Sequence, residues 1–199
     1  MKILILGAAG RTGRLLVEQA LVAGHTVTAF VRSEDPAIAE TPDVTTFVGD
    51  ATNEADLAKA LQGQDAVIST LGPIKPRDTV VSLATGLFIQ VAAQQKIKRV
   101  IMMSSFLASP QFRPNAIVRF ALKLMDGIVS HFKSAEELFE GSHLDYTIVY
   151  ATRLTNEPLD KNYVVVQSNE AVGANDSISR ANVAHFLVTQ LVDATHIAQ

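Results

Sequence analysis

The 199-residue sequence contains no cysteine. Disulfides, zinc–thiolate sites, iron–sulfur clusters and thiol nucleophiles are therefore excluded. It also lacks a basic excess. Seventeen lysines and arginines face 20 aspartates and glutamates, for a formal net charge of −3. That balance argues against a phosphate-backbone ligand, because no surplus of cations exists to release counterions, and no nucleic-acid partner is expected. No apolar run approaches the length needed to cross a bilayer. The opening Met-Lys-Ile-Leu-Ile-Leu reaches Gly7 too soon for a signal peptide. No membrane partner is expected, and the expected location is the cytoplasm. The five histidines form no H-x-x-x-H pair and have no matching acidic cluster, so no metal is expected. What remains is 48% hydrophobic and 19% charged, a composition suited to one compact α/β domain with a sizeable core.

Short apolar runs alternate with amphipathic ones along the chain. Strands are predicted at Lys2–Leu6, Thr26–Val31, Val44–Val48, Ala66–Thr70, Arg99–Met103, Tyr146–Tyr150 and Tyr163–Val166. Helices are predicted at Thr12–Ala23, Glu54–Leu61, Asp78–Gln95, Ala116–Glu140 (with a break near Gly127) and Arg180–Val192. Ser33–Pro42 reads as a loop or a short helix. This alternation predicts a three-layer, doubly wound α/β fold, a mostly parallel sheet covered by helices on both faces. No internal repeat or low-complexity linker divides it. A single domain over 1–199 is expected, with small substrate-side elements near 106–126 and 151–179.

The first strand runs directly into Gly7-Ala-Ala-Gly10-Arg-Thr-Gly13, which opens the first helix. That is the context a dinucleotide-binding loop requires. The first glycine permits a tight turn, the second lets the backbone approach a pyrophosphate, and the third lets helix and strand lie close. The helix N-terminus then presents free N–H groups and the positive end of its dipole to the phosphates. A chain that prefers NAD usually ends its second strand with an acidic residue that holds the ribose 2′-hydroxyl. Here Phe30-Val31-Arg32-Ser33 stands at that place. Arg32 offers a charged fork suited to a 2′-phosphate, and Arg11 is a candidate to stand beside it. Glu34 and Asp35 lie just beyond and are within reach of a ribose. NADP(H) is the preferred cofactor on this reading, with NAD(H) possible.

These segments together give the chain a family likeness. ILGAAGRTG, AFVRS, FVGDATNEADLAKALQGQDAVISTLG, RVIMMSSFL, HLDYTIVYATRLTNEPLDKNY and SISRANVAHF resemble the atypical short-chain dehydrogenase/reductases. Within them the chain looks most like the NAD(P)H-binding branch that includes flavin reductase/biliverdin-IXβ reductase and the NmrA-like proteins. The resemblance implies a Rossmann fold with the nucleotide across the C-terminal strand ends. It implies that Gly7, Ala9, Gly10, Arg11, Thr12 and Gly13 cradle the pyrophosphate and that Arg32 faces the 2′-phosphate. Asp50 and Ala51 would meet the adenine, and Leu71 and Gly72 would pass near the ribose. Ser104 and Ser105 would lie by the nicotinamide, with Tyr150, Ala151, Thr152 and Arg153 along its other side.

The superfamily's usual proton shuttle is a tyrosine four residues before a lysine, whose charge depresses the tyrosine's pKa. Lys133 stands in the lysine position of HFKSAEELFEG, but four residues earlier is Val129, which has no proton to give. An imidazole is a candidate acid in general, yet His131 lies two residues from Lys133 on a helix and points to a different side. Ser105 and Ser104, ending a central strand, are better placed to orient a substrate. Ser105, Ser104, His131 and Lys133 are thus the catalytic candidates. The flavin reductase likeness implies hydride transfer to an electron-poor ring that stabilises its own charge, with Phe106, Leu107, Phe112 and Ala116–Met125 as candidate walls. The expected function is an NAD(P)H-dependent reductase of a flavin, quinone or similar small conjugated acceptor, acting as monomer or homodimer. The alternative is a non-catalytic NADP(H)-binding redox sensor of the NmrA-like kind. A third reading, an isomerase or epimerase using a resident cofactor, ranks lowest, because it demands the missing acid–base pair.

Overall fold

The computed structural model describes residues 1–73, 79–97, 99–110, 112–113, 126–166, 172, 176–193 and 195–197, with backbone alone at 126–128. Six strands, β1 (Lys2–Leu6), β2 (Thr26–Val31), β3 (Val44–Val48), β4 (Ala66–Ser69), β5 (Arg99–Ser105) and β6 (Asp145–Ala151), form one sheet in the order β3-β2-β1-β4-β5-β6. Every pairing in it is parallel. The helices are α1 (Arg11–Val22), α2 (Pro36–Ala39), α3 (Glu54–Ala60), α4 (Val80–Gln95), α5 (Asp126–Glu140) and α6 (Arg180–Thr189). The strand order reverses between β1 and β4. At such a switch point the connections leave toward opposite faces and open a crevice at the carboxyl ends of the strands. The expected Rossmann-type fold is the one observed.

Strand alternation divides the core in two. Leu4, Leu6, Val67, Val100 and Met102 face α3, α4 and α5 on one side. Ile3, Ile5, Ile68 and Ile101 face α1 and α6 on the other. Both faces are buried, which explains why KILIL and RVIMM read as unbroken apolar runs rather than alternating ones. The helix starts follow their caps. Asn53 accepts hydrogen bonds from the N–H groups of Ala55 and Asp56, and Ser179 accepts one from Asn182. Among the described residues no helix is long and apolar enough to cross a membrane.

One predicted strand is absent. Tyr163–Val166 is not in a sheet, and Val164 is 82% exposed. Its β-branched side chains favour extended backbone, but a strand also requires a neighbouring ladder for its N–H and C=O groups. The second sheet is instead a two-stranded parallel pair, β7 (Arg153–Thr155) and β8 (Ser177–Ser179). The predicted start of α4 at Asp78 and the stretch Ala116–Met125 lie outside the described residues.

Candidate functional site

The glycine loop sits at the switch point. Gly7 has φ of +80°, and a Cβ there would lie 3.0 Å from Thr70 Oγ1 and 3.1 Å from the Thr70 carbonyl, so β4 closes against the turn. A methyl at Gly13 would overlap the Gly7 carbonyl oxygen and stand 2.8 Å from the Ala8 Cα. Helix α1 therefore packs directly on the end of β1, which a side chain at Gly13 would prevent. Its N-cap, Gly10, supplies no side-chain hydrogen bond to the first turn. The leading N–H groups of α1 are left for an anion, and Ala9, Gly10 and Arg11 beside them are exposed. Loop and helix thus fit a pyrophosphate held by backbone.

The remaining positions implied for the nucleotide lie along the same edge. Arg32 is exposed just past β2, and its charge helps hold the Asp50 carboxyl below its ordinary range. The larger causes of that shift are the bonds Asp50 accepts from the Thr52 N–H and hydroxyl, both 2.8 Å. Ala51 and Thr12 are buried, whereas Leu71 is half-buried and Gly72 exposed. Arg11 exerts its charge on Arg180 at the start of α6, while Arg32 acts on Asp50. Sequence reading passed over Arg14. Its guanidinium donates to Asp35 at 2.6 Å and to the Ala9 carbonyl at 3.1 Å, tying the glycine loop to the segment after β2. Asp35 also accepts from the Ile38 N–H and caps α2, so its carboxylate is already engaged.

A cavity of about 1210 Å³ follows β6 from Tyr146 to Ala151. Phe106, Tyr146, Ile148, Tyr163, Val165 and Phe186 give it apolar walls. Its described lining includes six carboxylates, Glu136, Glu137, Glu140, Glu157, Asp160 and Asp176, against one lysine, Lys133. Helix α5 accounts for four of these charges. Lys133, Glu136, Glu137 and Glu140 recur at helical spacing on the cavity side, while Phe132, Ala135 and Phe139 recur on the core side. His131 is not among the lining residues, as its two-residue offset from Lys133 requires. Val129 packs against the core.

The centre of the site is a residue that sequence reading did not single out. Glu136, 8% exposed, accepts a 2.6 Å hydrogen bond from Ser104 Oγ on Oε1 and a 2.9 Å bond from Tyr150 Oη on Oε2. Ser104 and Tyr150 are register partners in β5 and β6, so their side chains leave the sheet together on the α5 side. Burial pushes the Glu136 carboxyl above its ordinary range, against the pull of the two hydroxyl bonds and of Lys133. Burial, then the Glu136 charge, raises the Tyr150 hydroxyl strongly. The Ser105 hydroxyl is directed elsewhere and caps the short 3₁₀ turn Phe106–Ala108 by accepting from the Leu107 N–H. One signal in the sequence pointed to Glu136: it borders the Phe132–Ala135–Phe139 stripe, where a helix passes from solvent to core.

Asn182 has a structural role. It is 5% exposed, donates to Asp160 Oδ1 at 2.7 Å, and accepts from the Asp160 and Lys161 N–H groups. It pins the segment after β7 to α6.

The model of a family described as NAD(P)H-binding matches residues 7–194. The chain belongs to this NAD(P)H-binding family. An isoflavone reductase homologue of Arabidopsis thaliana is 37% identical over 39% of this chain, and the match spans 28% of that relative's length. The solved structure of an oxidoreductase from Lactococcus lactis superposes with a TM-score of 0.82 at 25% identity, covering 99% of this chain and 87% of the other. An anaerobillin reductase from Escherichia coli O157:H7 superposes with a TM-score of 0.79 at 25% identity, covering 98% and 92%.

Proposed function

We propose that the chain is an NADPH-dependent reductase of a small conjugated acceptor, a quinone or an isoalloxazine ring. The observation that carries this reading is the cavity of about 1210 Å³ that runs along β6 and takes in the Phe106–Ala108 turn after β5. Its aromatic and aliphatic walls suit the faces of a planar ring. When bound, the nicotinamide supplies a hydride. The chain's own contribution is to hold the nucleotide on the glycine loop, select its 2′-phosphate with Arg32, and position the acceptor. The match to an isoflavone reductase homologue and the superposition on an anaerobillin reductase support reductive chemistry. The carboxylate-rich lining favours an acceptor without negative charge, because an anion there would meet like charge in a partly desolvated space.

The test is direct. The protein is mixed with NADPH and riboflavin, FMN or a quinone, and loss of the reduced-nicotinamide absorbance is followed. Turnover above the protein-free rate is expected. Tight NADPH binding without turnover across the whole panel would replace this reading with that of a redox sensor.

A further inference from the structure

We propose that Glu136 and Tyr150 form the proton-delivery pair of this site, with Ser104 as the residue that positions the carboxyl. The inference rests on the reductase reading and assigns a proton source where the Tyr-x-x-x-Lys arrangement is missing. Three geometric facts carry it. One buried carboxyl is shared by two hydroxyls, at 2.6 Å and 2.9 Å. The two are not equivalent: Ser104 is 3% exposed and does not reach the cavity, whereas Tyr150 is half-buried and lines it. Ser104 and Tyr150 stand at the C-terminal ends of β5 and β6, where an open α/β sheet binds its ligands, and Glu136 meets them there from α5.

Hydroxyls both donate and accept, so this pair has two arrangements. With Glu136 ionised, both hydroxyls donate to it. With Glu136 protonated, its Oε2 donates to Tyr150 Oη, and the intact phenolic O–H is free to turn toward the cavity. Burial favours the protonated form, and the groups around it divide in their effect. Lys133 opposes protonation, while Glu137 on the same helix favours it. Glu140 from α5 and Tyr146 from β6 line the same cavity, and Glu157, Asp160, Tyr163, Asp176 and His196 complete its described titratable lining.

The balance closes on one proton per turnover. NADPH, a solvent proton and the oxidised acceptor become NADP⁺ and the acceptor reduced by two electrons. As charge builds on the acceptor's oxygen or nitrogen, the Tyr150 O–H bond breaks toward it and a new bond to that atom forms. The Glu136 proton moves to Tyr150 Oη, and the resulting carboxylate takes a proton from water. Tyr150 begins and ends as a neutral phenol, so its own high pKa is no obstacle.

Glu136→Gln tests this. The amide retains a hydrogen-bond donor for Tyr150 Oη but has no proton to transfer. Two readouts are compared. In the nucleotide-free protein, the folded-state pKa of Glu136 lies above its unfolded value, so the native state binds the proton more tightly. Wild-type stability should therefore fall relative to E136Q as pH rises through the window above the ordinary carboxyl pKa. In turnover, the wild type should lose activity with a one-proton slope toward alkaline pH. E136Q should lose that limb and drop about a hundredfold near neutrality, the scale of a lost general acid. Its NADPH affinity should be unchanged, which also confirms folding. Tyr150→Phe should lower turnover similarly, and Ser104→Ala less, with the alkaline limb moved rather than abolished.

A stability difference that stays constant with pH overturns the proton store. An E136Q pH profile matching the wild type's overturns delivery while leaving the reductase reading intact. A wild type inert toward every acceptor overturns both.

Discussion

Gly10 caps α1 without a side chain, and a substitution there separates folding from nucleotide binding. Aspartate is a favoured N-cap residue, so Gly10→Asp offers α1 a bond it now lacks, with the Gly7 carbonyl 3.1 Å from the new Cβ having to give slightly. Its carboxylate would occupy the place of the pyrophosphate. NADPH binding should weaken at least about a hundredfold, since like-charge juxtaposition costs several kcal/mol, while the thermal midpoint stays near the wild type's. Calorimetric titration beside thermal unfolding checks both halves. At Arg32, loss of a charge-assisted bond to the 2′-phosphate is worth about 1.5–3 kcal/mol. Arg32→Ala should therefore weaken NADPH roughly ten- to a hundredfold and leave NADH nearly unchanged. Equal loss for both nucleotides would remove Arg32 from cofactor selection.

Helix α5 serves two surfaces at once. Its core face holds Phe139, which is 2% exposed with its ring 5.3 Å from that of Tyr146. Its other face supplies Lys133, Glu136, Glu137 and Glu140 to the cavity. The aromatic stripe therefore sets the helix phase that aims Glu136 at Ser104 and Tyr150. Phe139→Ala should cost about 3–5 kcal/mol, read from urea unfolding, and the cavity left behind should loosen the carboxyl it supports. The amphipathic pattern of this helix was legible in the sequence, and so was the valine that displaces the usual tyrosine. The partners of its polar face were not, because Ser104 lies 32 residues before Glu136 and Tyr150 14 after it. Tyr163–Val166 shows the opposite limit. Its propensity was legible, but the run found no ladder; Tyr163 instead bonds His185 Nδ1 at 2.8 Å.

On the scale of the molecule, charge is unevenly placed. The net charge of −3 is small, yet six carboxylates gather in the described lining of one cavity. Riboflavin should therefore be reduced faster than FMN at low ionic strength. The gap should narrow as salt shortens the screening length from about 30 Å at 0.01 M toward about 8 Å at physiological strength. Steady-state rates for the two flavins across a salt series measure this. FMN preferred at every ionic strength would contradict the charge selection.

The sequence by itself determined the doubly wound sheet, the strand–loop–helix cradle and the position of Arg32. Each depends on residues adjacent in the chain: runs buried on both faces, a glycine triplet between strand and helix, the end of one strand. The tertiary structure alone decided the shared carboxyl, the closure of Thr70 on Gly7, and the pairing of β7 with β8 in place of Tyr163–Val166. Those depend on which distant segments the parallel sheet brings side by side, and on the helix phase set by burying Phe132 and Phe139.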